Sequence, residues 1–326
     1  MGAAPSCSNV RVAVIDSAEP HRARRRATLV GGVAILLWSL LALFTASSGS
    51  VPPFQLTAMT FAIGGLIGVA VLLCSGRSLG VFRQAPSVWL LGVVGLFGYH
   101  LAYFTALRNA PPVEAGLIAY LWPLLIVLFS AALPGERLRP HHLIGGVLGF
   151  GGAAMIVTGG SGFMPKAEFA FGYTMAFLCA FLWSGYSVLS RRFEAVPTDV
   201  VAGFCLVTAV LSGIAHLILE QTVWPAGVTQ WLAVAGLGLG PVGAAFYVWD
   251  HGVKHGDIQI LGALSYLAPL LSTLALVVAG LAVANSTTVI ACLLITLGAA
   301  LAAKDMIMES LRPRKHRPHS TQDQTT

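Results

Sequence analysis

From Thr28 to Ala303 the chain runs in long apolar blocks separated by Pro, Gly and isolated charges. A bilayer-spanning helix takes about 20 apolar residues, so this interval holds about ten. The punctuation places them near 28–47, 53–74, 88–107, 113–133, 141–159, 170–190, 198–219, 230–250, 258–280 and 286–303. The pattern predicts an all-α integral membrane protein with ten transmembrane helices.

Composition agrees with that reading. Of the 326 residues, 56% are hydrophobic and only 10% charged, against roughly 25% charged in a soluble domain. An ordinary soluble enzyme, a nucleic-acid-binding domain and a disordered chain are thereby excluded. The formal net charge of +6 does not argue for a nucleic-acid partner, because the cations lie in the tails and between apolar blocks. Cys7, Cys74, Cys179, Cys205 and Cys292 are scattered and odd in number. They read as small buried hydrophobes, with no disulfide framework or metal site. The first apolar block follows a basic leader but is too long for a secretory signal, so it reads as an uncleaved anchor.

Placing the basic N-terminus in the cytoplasm sorts the 19 Lys and Arg by loop. Arg108 and Lys166 alone fall outside, and the other seventeen fall inside. The excess of cations on cytoplasmic loops predicts an N-in, C-in topology with basic cytoplasmic tails at 1–27 and 304–326.

The chain also repeats itself weakly. Ala119 to Leu125 parallels Ser265 to Leu271 at an offset of 146, and Trp38-Ser39 parallels Trp183-Ser184 at 145. These offsets divide the chain into units at 28–160 and 168–303. Five helices per unit leave the second inverted relative to the first. Two inverted repeats around a midplane site are the common architecture of secondary transporters.

Several stretches then resemble a known family. Tyr103 to Ala110, Ala115, Pro123, the Gly135-Glu136-Arg137-Leu138 turn and Gly145 through Gly152 resemble the EamA module of the drug/metabolite transporter superfamily. Gly98-Tyr99-His100, Tyr120 to Pro123 and Ser265 to Pro269 look most like its aromatic amino-acid exporters. The chain departs from the module at Ala282, where the second repeat lacks the Gly-Glu turn. It also lacks the first-helix carboxylate that related small multidrug exporters use for cation exchange.

The resemblance implies a cavity lined by the first, third, fourth, sixth, eighth and ninth helices, and carries over to Tyr99, His100, Trp122, Trp183 and Tyr266. His100 is an ionisable group near mid-helix, which is costly in lipid and marks a functional candidate; a structural bond between helices is the alternative. Trp38, Tyr103 and Tyr120 join the candidates by depth and repeat symmetry. Pro123 and Pro269 each remove a backbone donor and read either as hinges or as static kinks. Asp250, His251, His216 and Glu220 read as solvated at helix ends, and Arg108 and Glu114 as gating or snorkelling groups. Trp89, Trp224 and Trp231 suit the headgroup belt.

Gly238 to Gly243 matches GxGxxG but sits inside an apolar span, so no dinucleotide site follows. No catalytic, metal or ATP-binding motif is present, and no enzyme activity or cofactor is expected. The expected function is secondary export of aromatic and other neutral amino acids by alternating access from a bacterial inner membrane, as a monomer. The alternative is export of drugs or other metabolites. Facilitated efflux and proton exchange are both compatible with the sequence.

Overall fold

A computed structural model describes residues 18–160, 166–278 and 286–311. Residues 1–17 and 312–326 of the expected tails, and the far end of the ninth helix, lie outside the described residues.

Nine helices among the described residues are long and apolar enough to cross a membrane. They are α1 (Arg22–Ser47), α2 (Pro53–Cys74), α3 (Pro86–Asn109), α4 (Pro112–Ser130), α5 (Pro140–Thr158), α6 (Ala167–Phe193), α7 (Thr198–Leu219), α8 (Val228–His255) and α9 (Ile258–Ala275). A tenth apolar helix, α10 (Ser286–Ala302), has 17 residues, at the short end of the spanning range. A last helix, α11, spans Lys304–Leu311.

Two boundaries differ from the hydropathy pattern. Helical structure begins at Ala18 rather than near Thr28, because Ala and Arg are good helix formers. The tail boundary at 27 is thus a change of polarity inside one helix. Likewise α8 continues past residue 250 to His255. It stops at Gly256, after which the Asp257 side chain accepts from Ile260 N at 3.1 Å and caps α9.

The principal packing pairs join one half of the chain to the other: α5 lies along α10, α2 along α7, α1 along α8 and α3 along α6. An exchange of halves maps each of the first two pairs onto itself and swaps the last two. With five crossings each, the halves are inverted repeats. Small residues let their backbones meet: a Cβ on Gly31 would lie 2.8 Å from the Gly252 Cα, and one on Gly64 would lie 2.8 Å from the Gly243 Cα.

Five helices depart from regular α geometry, and they do so near the middle of the bundle. α3 carries a π-helical turn at Val94–Gly98, and α8 carries one at Gly240–Ala244, an offset of 146. α4 is interrupted at Tyr120-Leu121 and α9 at Ser265-Tyr266, an offset of 145. Pro123 is the second residue of the segment that restarts at Trp122, and Pro269 the third of the segment that restarts at Leu267. Neither has an N–H for the carbonyl four residues earlier, so each proline lies just beyond a helix break instead of bending a continuous helix. α1 breaks after Trp38, whereas its counterpart α6 stays helical from Ala170 to Leu189 through Trp183.

Candidate substrate cavity

The irregular turns surround a cavity of about 170 Å³. Trp38 of α1, Tyr99, His100 and Tyr103 of α3, Tyr120 and Trp122 of α4, and Trp183 of α6 all line it. Helix α8 adds Pro241, Val242 and Phe246, and α9 adds Ala268. The lining residues Leu41, Tyr103 and Gly116 lie toward the loops at 48–52 and 110–111. The cavity therefore occupies the half of the bundle remote from the tails.

Its floor is a cluster of four indoles. Trp38, Trp122, Trp183 and Trp249 contact one another in every pairing, with ring centroids 5.0–6.3 Å apart. Aromatic pairs of this geometry contribute about 0.5–1.5 kcal/mol each beyond simple burial. The π turn of α8 frees a carbonyl for this floor: Trp38 Nε1 donates to Pro241 O at 3.1 Å. Trp249 Nε1 donates to Ser187 Oγ at 3.1 Å.

The π turn of α3 leads into the wall. His100 Nδ1 lies 2.7 Å from Leu96 O. A carbonyl can only accept, so Nδ1 carries the proton, and in the neutral ring Nε2 is left as an acceptor. Tyr99 and Tyr103 stack with centroids 6.0 Å apart, and Phe61 meets the His100 ring edge-on at 5.2 Å. The wall thus offers ring faces, three phenol groups and one imidazole. Among the described residues the lining includes no carboxylate, Lys or Arg.

Tyr266 lies elsewhere. It is fully buried against Phe150 and Gly149, where an added Cβ would come within 2.5 Å of its ring. Its hydroxyl accepts from Leu124 N at 3.2 Å, an amide that the break in α4 leaves without a partner in its own helix. The family resemblance, with repeat symmetry to Tyr120 beside it, implied a place in the cavity; the absence of a side chain at Gly149 opens a different slot for the ring. Pro123 and Pro269 also stand behind the lining rather than in it.

Of the ionisable groups expected to be solvated at helix ends, His216, Glu220 and Asp250 have buried, paired side chains, whereas His251 is half-buried beside the His255 ring. Glu220, with 3% of its side chain exposed, accepts from Phe54 N and Gln55 N at the start of α2. It also meets Arg108 at 2.9 Å and His216 at 3.0 Å. Asp250 pairs with Lys254 at 2.9 Å and accepts from Thr198 Oγ1 at 2.8 Å. Lys254 and His216 are one helical turn from their partners, but local hydropathy cannot reveal Arg108, Phe54 or Thr198, which are distant in the chain. Glu114 bonds the Tyr173 hydroxyl. Of the expected belt residues, Trp224 and Trp231 are exposed and stacked, while Trp89 packs on Phe204. Cys179 and Cys205 are buried, but Cys74 is exposed at the end of α2.

At the end of the bundle that carries the tails, Glu136 of the α4–α5 loop meets Arg24 of α1 and Arg191 of α6, each at 2.9 Å. Arg24 also reaches Asp257 at 3.1 Å, and Arg191 donates to Gly256 O at 2.9 Å. This network draws both halves together beneath the indole floor.

Besides the small and aliphatic lining residues Leu41, Gly116, Ala119, Pro241, Val242 and Ala268, sequence reasoning missed two aromatic ones: Phe246, which lines the cavity, and Trp249, buried in the indole cluster beneath it. The 146-residue offset maps His100 onto Phe246 and Tyr103 onto Trp249, so applying the repeat position by position would have found both.

The model of the EamA-like transporter family matches residues 26–158 and again 170–303. The aromatic amino acid exporter YddG of Ancylobacter novellus is 59% identical over 282 residues, covering 86% of this chain and 97% of that protein. The protein of the same name from Salmonella typhimurium is 28% identical over 263 residues, with 76% and 87% covered. A solved crystal structure, 58% identical, superposes with a TM-score of 0.82 over 86% of this chain and 99% of its own. Two copies of the family model, each spanning one five-helix half of the bundle, leave no ambiguity: the chain belongs to the EamA-like transporter family.

Proposed function

We propose that this protein exports aromatic and other neutral amino acids by alternating access around the indole-floored cavity. The observation that carries the reading is the cavity itself: ring faces from five helices, an acceptor nitrogen on His100, and a lining without charged side chains among the described residues. An aromatic side chain stacks on such walls. The substrate ammonium is attracted to indole faces and finds an acceptor at His100 Nε2. A cationic drug would call for a buried carboxylate, and a nucleotide sugar for Lys or Arg at the diphosphate. The names of the relatives agree with this choice.

With the tails in the cytoplasm of a bacterial inner membrane, as the cation distribution argues, the cavity faces outward and the Glu136 network is the closed inner gate. Opening inward separates Arg24 and Arg191 from Glu136 and tilts the segments that restart beside Pro123 and Pro269, which serve as hinges. One chain of ten helices carries the whole cycle as a monomer.

The test is flux in liposomes. The purified protein should move labelled Phe, Trp and Met with saturable kinetics, and a lipophilic cation poorly; repeating the assay with a pH gradient separates facilitated efflux from proton exchange. Flux of the cation alone would remove the amino-acid reading.

A further inference from the structure

A second chamber, of about 270 Å³, opens at the tail end of the bundle between the start of α1, the α4–α5 loop, the start of α9 and α11. Its acids are already engaged: Glu136 by Arg24 and Arg191, Asp257 by Arg24, and Asp305 by Arg139. Arg25 and Arg137, exposed on its rim, have no ion-pair partner among the described residues. The uncompensated charge of the chamber is therefore positive.

Two buried donors in the same wall point to an occupant. Gln259 is 2% exposed and lines the chamber, and its Nε2 has no hydrogen-bond partner. Arg24 Nε is likewise buried and unpartnered. Buried donors are ordinarily satisfied, and an anion with several acceptor oxygens satisfies an amide and guanidinium groups together.

We propose that this chamber binds a phosphate group, as the headgroup of an anionic lipid presents it. Its position suits that source: the chamber lies at the ends of membrane helices, at headgroup depth, where clustered Arg side chains attract anionic lipid. Free inorganic phosphate has the same chemistry, and the experiment separates the two.

The full-length protein is placed in phosphatidylcholine nanodiscs doped with phosphatidylglycerol, and the retained lipid is counted by native mass spectrometry. In parallel, the protein is melted in neutral detergent with inorganic phosphate or with chloride at matched ionic strength. The variants are Arg25→Gln/Arg137→Gln, which alters only exposed groups, and Gln259→Leu. An Arg83→Gln/Arg192→Gln control removes the same charge from the same end. Removing charge-assisted contacts should lower phosphatidylglycerol retention on the order of tenfold in both chamber variants and leave the control unchanged. Phosphate that raises the melting temperature of the wild type but not of the chamber variants, with lipid retention equal throughout, identifies the free anion as the occupant. Equal lipid retention together with equal melting in the wild type and all variants overturns the proposal, as does a control that loses lipid as the chamber variants do.

Discussion

The two halves of this protein agree in backbone and disagree in side chains. Both place a π turn at the centre of their third helix and a break before the proline of their fourth. Yet at the positions where the first half presents Tyr99, His100 and Tyr103, the second presents Ala245, Phe246 and Trp249. Tyr120 lines the cavity, while Tyr266 is buried behind it. The first half thus supplies the hydrogen-bonding wall and the second the apolar wall and much of the floor. Duplication preserved the irregular turns around the cavity, and divergence made its faces unlike. An aromatic zwitterion is unlike at its two ends in the same way.

The difference can be broken at several depths, beginning with the largest effect. Trp249 is fully buried in the floor, so Trp249→Ala leaves a large cavity beneath Trp38 and Trp122. A loss of about 3–5 kcal/mol is expected for deleting a buried indole, read as a fall in melting temperature and in folded yield. A melting temperature equal to that of the wild type would show that the floor is loosely packed.

The inner network is the next asymmetry. Glu136 belongs to the first half, and the corresponding residue of the second is Ala282. Glu136→Gln leaves Arg24 and Arg191 without their shared carboxylate; because Arg24 is 39% exposed, solvent moderates the cost to about 1–3 kcal/mol. The closed inner end should open more often, so a cysteine placed at Thr28 should react faster with a reagent applied from the cytoplasmic side. An unchanged labelling rate would remove the gate role.

The two equivalent tyrosines give the finest contrast. Tyr266→Phe removes the bond to Leu124 N, with an expected stability loss of about 0.5–1.5 kcal/mol and little change in substrate affinity. Tyr120→Phe should leave stability unchanged and weaken transport of tryptophan. Melting curves and flux assays on both variants check the crossover, and the same response from both would mean that repeat symmetry, not packing, governs their roles.

Much of the fold was legible because lipid exposure imposes a simple rule: apolar blocks of spanning length punctuated by proline, glycine and charge. The helix interruptions were not, since Pro123 and Pro269 mark that a break occurs but not that it falls just ahead of them. Nor does hydropathy distinguish a π turn such as Gly240–Ala244 from regular helix. In the site, seven of the expected residues meet around one cavity because they sit at similar depth on neighbouring helices. Tyr266 fails that expectation because Gly149, far away in sequence, opens a slot for its ring. Glu220 and Asp250 each have one partner a turn away, His216 and Lys254, but they read as solvated because the rest, Arg108, Phe54 N and Thr198, come from other parts of the chain that no local pattern records.

The most direct measurement is a structure of the protein with L-tryptophan bound. The account predicts the indole ring against Trp122 and Trp183, with the substrate ammonium within hydrogen-bond distance of His100 Nε2 on the first half's wall. Ligand density outside the cavity, or a pose with the ammonium turned toward Phe246 and away from His100, would contradict it.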